Sequence, residues 1–264
     1  LRLTEFTSHR GKTSFRHVLY TNLGTLVGGW MFFGLNAVGH QAGTVGFVIG
    51  AAYAAGMLAL GLLVPRIKSA MTQAGCDTLD DFVGDRYGAA AQVISTALNI
   101  TFFLGILAAQ FIALTAFLSV FSAVESGQLY YVAAVTIIAY TSFTGFRGVL
   151  LTDIWQFVAL ACGVGALLSV LAIHADWSAF QDVEPKFFNA TGYGVGFLLA
   201  IVVVFPVSIL VRTDLWQRIA SARDIATAQR AFFISAPVLL VFYIALTMCG
   251  MLGRVMAGPN ARPD

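Results

Sequence analysis

Seven long apolar runs, of which only the fifth includes a charged residue (Asp153, at its start), divide this sequence and restrict what it can fold into. Each run is near or above the roughly 20 residues that a helix needs to cross the hydrocarbon core of a bilayer. Strands of a membrane β-barrel would be about ten residues long and would alternate apolar with polar side chains, and these runs do not alternate. The sequence therefore predicts an all-α membrane protein with seven transmembrane helices. The predicted spans are 18–39, 43–64, 91–121, 128–146, 153–173, 192–211 and 231–253.

Composition argues against a water-soluble fold. Of the 264 residues, 58% are hydrophobic and 11% are charged, whereas soluble domains average roughly 25% charged residues. Cys76, Cys162 and Cys249 are scattered without a CxxC or Cys/His grouping, which favours packing roles over a metal site or disulfides. The sequence has no nucleophile–base set and no metal cluster, so we do not expect an enzyme. The expected surroundings are a lipid bilayer, and no nucleic-acid partner is expected.

The basic residues predict how the chain is oriented. With seven spans, twelve basic residues fall on the side of the N-terminus and three on the opposite side. This positive-inside bias predicts an integral protein of the cytoplasmic (plasma) membrane, with its N-terminus cytoplasmic and its C-terminus external. The sequence begins at Leu1 without a Met and ends in the polar GPNARPD, so we expect it to belong to a longer protein whose remaining helices are partners of this region.

The first and sixth spans carry signals of interruption. Gly28 and Gly29 lie side by side at mid-membrane depth, which fits either an unwound break or close helix packing. Pro206 removes a backbone donor inside the sixth span and predicts a break there as well. Two interrupted helices at corresponding places are typical of the binding site of an inverted-repeat transporter.

Four polar positions remain open to more than one interpretation. Gln110 is an amide in an apolar run, which indicates interhelical hydrogen bonding in preference to a cavity role. Asp153 near the start of the fifth span either caps that helix or faces the bundle and takes part in ion or proton movement. Asp80 and Asp81 precede Arg86 in a segment predicted to be a solvated loop with local ion pairing, in preference to a catalytic carboxylate pair.

Four segments together resemble the sodium:solute symporter family, which includes proline, pantothenate and sugar carriers. GTLVGGWMFFGL is similar to the first core helix of that family, and TLDDFVGDRYG to the loop after its second. YTSFTGFRGVLLTDIWQ resembles the family signature, and RTDLWQRIASARDIATAQRAF resembles the loop with a Gln-Arg pair. Their order and separation also fit, and the resemblance covers essentially the whole chain.

The resemblance implies a LeuT-type fold of ten core helices in two inverted repeats, with discontinuous first and sixth helices. Residues 1–264 would then be one transmembrane domain holding core helices one to seven, with 1–173 as the first repeat and 192–264 as the start of the second. It implies sodium coordination by the backbone carbonyls of Gly24 and Val27. Leu26 and Gly28 stand where many members carry a polar side chain, so side-chain help for the ion is not expected from them.

The resemblance also implies where solute and a second ion would bind. Asp153 occupies the position of an acid that contributes to a second cation site in some members. The substrate positions map to Gly28, Gly29, Trp30, Met31, Phe205, Pro206, Ser208 and Ile209. Because this lining is mainly apolar and aromatic, it favours a carboxylate-bearing or partly apolar solute over a sugar.

The leading functional prediction is sodium-coupled symport of a small organic solute by alternating access, with Na⁺ as the coupling ion. The alternatives are a symporter-like membrane sensor of a signalling protein and an inactive truncated carrier. Transport coupled to protons through Asp153 would replace sodium coupling if uptake proved independent of Na⁺.

Overall fold

The computed structural model describes residues 10–121 and 126–257, and these ranges are helical without a β-strand. A single isolated bridge joins Thr13 to Ala222. Three short 3₁₀ turns, at Trp177–Asp182, Pro185–Phe188 and Ala190–Tyr193, connect α6 to α7. The helices are α1 (Phe15–Leu26), α2 (Gly29–Ala42), α3 (Val45–Ala74), α4 (Leu79–Tyr87), α5 (Ala89–Phe121), α6 (Ser126–His174), α7 (Val195–Leu210), α8 (Thr213–Ser221) and α9 (Ile225–Ala257).

Four helices in the described ranges are long and apolar enough to cross a membrane, and six spans result if each of two bent pairs counts as one. The four are α3, α5, the later part of α6 (Gly148–His174) and α9. The bent pairs are α1 with α2, at 51°, and α7 with α8, at 42°. The predicted span at 128–146 is helical but is not among these candidates. The all-α membrane class is therefore found, while the count of seven spans stays a prediction.

The long helix α6 is bent at Gly145, which lies at φ 59° and ψ −157° inside otherwise helical backbone. Positive φ is readily accessible only to glycine, so this residue permits the change of direction. The sequence predicts two separate spans here, 128–146 and 153–173. The structure has helix on both sides of Gly145, with non-helical backbone at Gly145 itself.

Helices α3 and α9 form the centre of the bundle. Half of the most apolar part of α3 and 44% of that of α9 are buried, against 11% for α5 and for the later part of α6. Side chains from α1, α2 and α7 complete the core around Met57, Leu60 and Tyr243, which are fully buried. The outward faces of α5 and α6 are apolar, as helices in contact with lipid must be.

Glycine allows α9 to approach α2 closely. A Cβ placed on Gly250 would overlap the backbone carbonyl of Asn36, and one on Gly39 would overlap that of Thr247. Association of helices in lipid depends on close van der Waals packing because the hydrophobic effect is lost there. These two glycines therefore fix α2, the second half of the broken pair, on the central helix α9.

Helix α4 is held on α5 by buried polar contacts. Thr78 and Asp81 form a reciprocal capping box at the start of α4, an arrangement that satisfies two otherwise unpaired backbone donors. Asp80 is buried and accepts hydrogen bonds from Ser95 and from Asn99, the latter at 2.9 Å. The predicted solvated loop is therefore wrong for Asp80, because neighbouring hydroxyl and amide donors on α5 replace its water.

Candidate functional site

The break between α1 and α2 is the centre of the candidate site. The chain leaves helical geometry at Val27 (φ −101°, ψ 61°) and Gly28 (φ −88°, ψ 174°), directly before Gly29 begins α2. This is where the Gly28-Gly29 pair predicts a break. The last carbonyls of a helix have no donor within that helix, and the Tyr243 hydroxyl donates to one of them, on Leu26, at 3.2 Å.

Helix α1 meets α6 at the turn that precedes this break. A Cβ on Gly24 would lie 2.5 Å from the backbone oxygen of Asp153, so only glycine allows the two backbones to come this close. Thr25, the next residue, donates its hydroxyl to the carboxylate of Asp153 at 3.3 Å. Asp153 itself is 8% exposed. The predicted sodium-carbonyl residue Gly24 and the predicted acid Asp153 are thus brought together.

Arg218 of α8 joins the same contact. Its Nη2 lies 3.6 Å from Oδ2 of Asp153 and donates to the hydroxyl of Thr25. Its Nη1 donates to the backbone carbonyl of Asp214 at 2.8 Å and lies 3.4 Å from the Asp214 carboxylate. Arg218 therefore connects the end of α1, the later part of α6 and its own helix.

Arg212 completes a buried set of two cations and two anions. Its Nε and Nη2 donate to the two carboxylate oxygens of Asp214 at 3.0 and 2.7 Å, a bidentate pair. The guanidinium also lies 5.8 Å from the centre of the Phe103 ring on α5. Arg212 and Arg218 are 5% and 4% exposed. Such pairs are costly to break because the remaining partner becomes an uncompensated buried charge. We call Thr25, Asp153, Arg212, Asp214 and Arg218 the ion-pair cluster.

Of the two roles predicted for Asp153, helix capping is wrong. The residue lies inside α6, where its backbone is already in regular helix, and its carboxylate meets Thr25 and Arg218. The side chain therefore faces the bundle. A function in ion or proton movement stays a prediction. The sequence analysis included Arg212, Asp214 and Arg218 in a loop similar to that of the family and gave them no role, because their burial depends on packing against distant helices.

The predicted substrate residues divide between two places. Gly28 and Gly29 lie at the break, and Met31 is buried in the core. Trp30 is part of α2, and its side chain lies outside the part of the chain that the structure describes. The residues on α7 pack mainly against α3, where the Phe205 and Tyr53 rings are 4.9 Å apart and Ile209 is fully buried.

The predicted interruption at Pro206 is not found. Helix α7 continues through this residue, and the bend to α8 lies at Val211 and Arg212 instead. Proline removes one backbone donor, but neighbouring groups in a membrane bundle can satisfy the carbonyl that it frees. Ser208, predicted to contact solute, donates to the Phe205 carbonyl at 2.7 Å.

A cavity of about 810 Å³ lies on the other side of the break, between α2, α5 and α6. Among the predicted substrate residues, Gly29 lines this cavity. Gln110 lines it too, although the sequence favoured interhelical hydrogen bonding for this residue over a role in a cavity. Gln156 and the aromatic lining were missed, although Gln156 ends the Thr-Asp-x-x-Gln motif and could have been noted there. The lining consists of Gly29, Phe32, Phe33, Leu107, Gln110, Phe111, Ala113, Leu114, Phe117, Ile137, Gln156, Ala159, Leu160, Gly163, Val164 and Leu167.

The sequence profile of the sodium:solute symporter family matches residues 6–263, nearly the full length of the chain. The chain belongs to the sodium:solute symporter family. A comparison with curated proteins found no significant match.

Family membership confirms the resemblance carried by the four sequence segments and agrees with the apolar helices of the structure. The family description indicates sodium-coupled transport of solutes by an integral membrane protein. Members are transporters and not enzymes. The described residues contain no group of three or more His, Cys, Asp or Glu side chains placed to hold a metal ion.

Proposed function

We propose that this chain carries the first seven core helices of a Na⁺-coupled carrier, which moves a small organic solute across the cytoplasmic membrane by alternating access. The observation that supports this most is the position of the break at Val27 and Gly28. The ion-pair cluster lies against the turn before it, and the cavity with Gln110 lies after it. Unwound backbone beside a cavity is where transporters place ions and solutes.

The proposed sodium position is at the end of α1. Carbonyls in the last turn of a helix lack donors within the helix, so those of Gly24 and Val27 suit a hard cation. Leu26 and Gly28 offer no side-chain oxygen. The carboxylate of Asp153 and the hydroxyl of Thr25 lie beside Gly24 and supply negative potential and a further oxygen. Asp153 is therefore our candidate for the second cation or proton site.

The ion-pair cluster is the proposed closure of one end of the transport path. Arg218 holds α1 through Thr25 and α6 through Asp153, so α1 can swing away only when these contacts separate. A cation that binds beside Asp153 would weaken the attraction of this carboxylate for Arg218. Ion binding and opening at this end are coupled in this way.

Orientation and repeat organisation belong to the same proposal. The end of the bundle that carries Lys68, Arg212 and Arg218 is rich in basic residues, and we assign it to the cytoplasm because of the positive-inside rule. Helices up to residue 173 would form the first inverted repeat of a LeuT-type bundle, and 192–264 the start of the second. The remaining helices would supply the rest of the ion site.

The test is uptake into proteoliposomes that contain the protein. Tritiated proline, pantothenate, glucose and nicotinamide are offered one at a time, with an inward Na⁺ gradient or with choline replacing Na⁺. We expect uptake of a solute that requires Na⁺, with entry of ²²Na⁺ that depends on the same solute. Uptake that persists in choline and is abolished by a protonophore would contradict sodium coupling. Saturable binding without uptake of any solute would contradict the carrier itself and indicate a sensor.

A further inference from the structure

We infer that the cavity between α2, α5 and α6 is a binding site for a neutral, largely apolar or aromatic small molecule with one amide-like edge. This inference rests on the proposed carrier function and assigns it a solute class. It places solute recognition on Gln110 and Gln156, away from the α7 positions Phe205 and Ser208.

The depth of the cavity fits a transported solute. Gly29 lies midway along the α1–α2 pair, and Gln110 lies near the middle third of α5. At 1.5 Å per residue, Gly29 is about 20 Å from either end of the α1–α2 pair and Gln110 is about 16 Å from the nearer end of α5, so both lie deep in the membrane. A volume of about 810 Å³ is within the range of pockets that enclose small organic ligands.

The walls select for an apolar body. Four aromatic rings line the cavity, from Phe32 and Phe33 on α2 and from Phe111 and Phe117 on α5. Most of the remaining lining is aliphatic. Such surfaces gain free energy from covering an apolar or aromatic group and offer few partners to a solute with many hydroxyls. This composition disfavours a sugar.

Gln110 supplies the polar edge. A Cβ on Gly28 would collide with its carboxamide, whose Cδ would be 3.2 Å away, and a Cβ on Gly29 would lie 3.1 Å from its Oε1. The amide therefore lies directly on the unwound backbone, in space that exists because both residues are glycine. Gln156 adds a second carboxamide to the lining from α6.

Two carboxamides and no ionised side chain define the ligand class. A primary amide presents one acceptor and two donors, so it pairs with groups that carry both, such as a carboxamide or a lactam. Among the described residues, none that line the cavity is charged. A solute with net charge would have to be desolvated without compensation, which is strongly unfavourable.

The first experiment measures binding of neutral amide probes to the purified protein in nanodiscs. Benzamide and nicotinamide are the probes, and benzoate is the charged analogue of the same shape. We expect benzamide or nicotinamide to raise the unfolding temperature with saturation, and benzoate to bind at least tenfold more weakly. Failure of both amides to give a saturable shift would overturn the inference.

Two pairs of variants locate the site. Gly163 lines the cavity, and a Cβ there meets nothing within 4 Å, so Gly163→Leu should fill the cavity without a backbone clash. A Cβ on Gly165 also meets nothing within 4 Å, but Gly165 is not in the lining, so Gly165→Leu is the matched control. Gln110→Leu removes the amide edge, whereas Gln128→Leu makes the same change on α6 outside the cavity. We expect amide binding to be lost in Gly163→Leu and to weaken about tenfold in Gln110→Leu, the value of one or two hydrogen bonds.

The two control variants should bind the amides like the unchanged protein. Equal binding by Gly163→Leu and Gly165→Leu would overturn the assignment even if Gln110→Leu failed to fold. Sodium-dependent uptake by the same variants in proteoliposomes separates the two proposals. Coupled uptake that is insensitive to Gly163→Leu leaves the carrier function standing and removes this site. Amide binding without any coupled uptake would leave the binding site standing and remove the carrier function.

Discussion

Arg218 on α8 and Asp153 on α6 form a buried ion pair, with 3.6 Å between Nη2 and Oδ2, and both bond to Thr25 one turn before the break in α1. The pair unites three helices that are distant in sequence. Asp153 forms its ion pair with Arg218, whereas Arg218 forms a second ion pair with Asp214. The two residues therefore contribute unequally to stability.

We expect Arg218→Met to destabilise the protein more than Asp153→Asn does. Loss of the arginine leaves Asp153 buried without its cation, which costs about 3–5 kcal/mol. Loss of the carboxylate charge leaves Arg218 with Asp214. The double variant should recover part of the loss, since neither charge is then stranded. Unfolding free energies of the four proteins in mixed micelles give the coupling energy.

Arg223→Met is the matched control for this cycle. Arg223 forms an ion pair with Asp224 at 3.1 Å, but its side chain is 71% exposed. Exposed pairs contribute about 0–1 kcal/mol. Equal losses for Arg218→Met and Arg223→Met would show that the buried cluster is not held by charge.

Gly24→Ala should force α1 away from α6. The added Cβ would lie 2.5 Å from the backbone oxygen of Asp153 and 3.0 Å from its Cβ, and neither atom can move without the helix. Overpacking of this kind costs about 1–3 kcal/mol. Gly105→Ala is the control because a Cβ on this α5 residue meets nothing within 4 Å. There the helix propensity of alanine should stabilise by up to about 1 kcal/mol. Thermal unfolding compares the stabilities of the two variants. If both were less stable than the unchanged protein, the loss in Gly24→Ala could not be assigned to the contact with Asp153.

The sequence predicts the helices well because a single apolar run in lipid can satisfy all its backbone hydrogen bonds only as an α-helix. The predicted span 91–121 lies inside α5, and 43–64 lies inside α3 apart from its first two residues. The break at Val27 and Gly28 was also foreseeable, since two adjacent glycines at mid-depth weaken a helix. Local pattern is enough in these cases.

The candidate site could be predicted only in part because burial is a tertiary property. Nothing local distinguishes Arg212 and Arg218 in a solvated loop from the same residues under α1. Pro206 shows the opposite error, since a strong local signal for a break is overridden by packing of α7 on α3. Gln110 was identifiable as an unusual residue, but its position on Gly28 depends on how α5 crosses α2.

Lys68→Met should loosen α8 from α3. Lys68 is 8% exposed, and its ammonium donates to the carbonyls of Ile219, Ala220 and Ala222 at 2.9, 3.3 and 2.7 Å. These carbonyls end α8, where a cation is favoured by the helix dipole. Methionine keeps the apolar stem and removes the donors, so we expect a loss of about 2–4 kcal/mol, since hydrogen bonds to a charged group contribute about 1.5–3 kcal/mol each and are not additive.

Lys186→Met controls for the loss of a lysine. Lys186 pairs with Glu184 at 2.8 Å in an exposed turn between α6 and α7. Its replacement should change stability little. Limited proteolysis offers a second measurement, because Lys68→Met should expose the 211–224 segment to cleavage. Unchanged cleavage there, with unchanged unfolding, would contradict the capping role.

The start of α9 should depend on pH through Asp224. Its carboxylate accepts a hydrogen bond from the backbone N–H of Thr227 at 2.7 Å and one from Arg223 at 3.1 Å. The bonds from Thr227, then that from Arg223, lower the pKa of Asp224 below its ordinary value of 3.8. Stabilisation by a group with a lowered pKa is fully present above the ordinary value and is lost as pH falls through the folded one.

We therefore expect Asp224→Ala to unfold at a lower temperature than the unchanged protein at pH 7, and this difference to shrink only as pH falls below 3.8. Asp224→Asn keeps an acceptor for the Thr227 N–H but cannot titrate. Its advantage over Asp224→Ala should stay constant across the same range. Thermal unfolding of the three proteins between pH 7 and pH 3 measures both differences. A gap between Asp224 and Ala that does not change with pH would mean that the charge has no part in capping α9, and that the acceptor geometry alone holds the helix start.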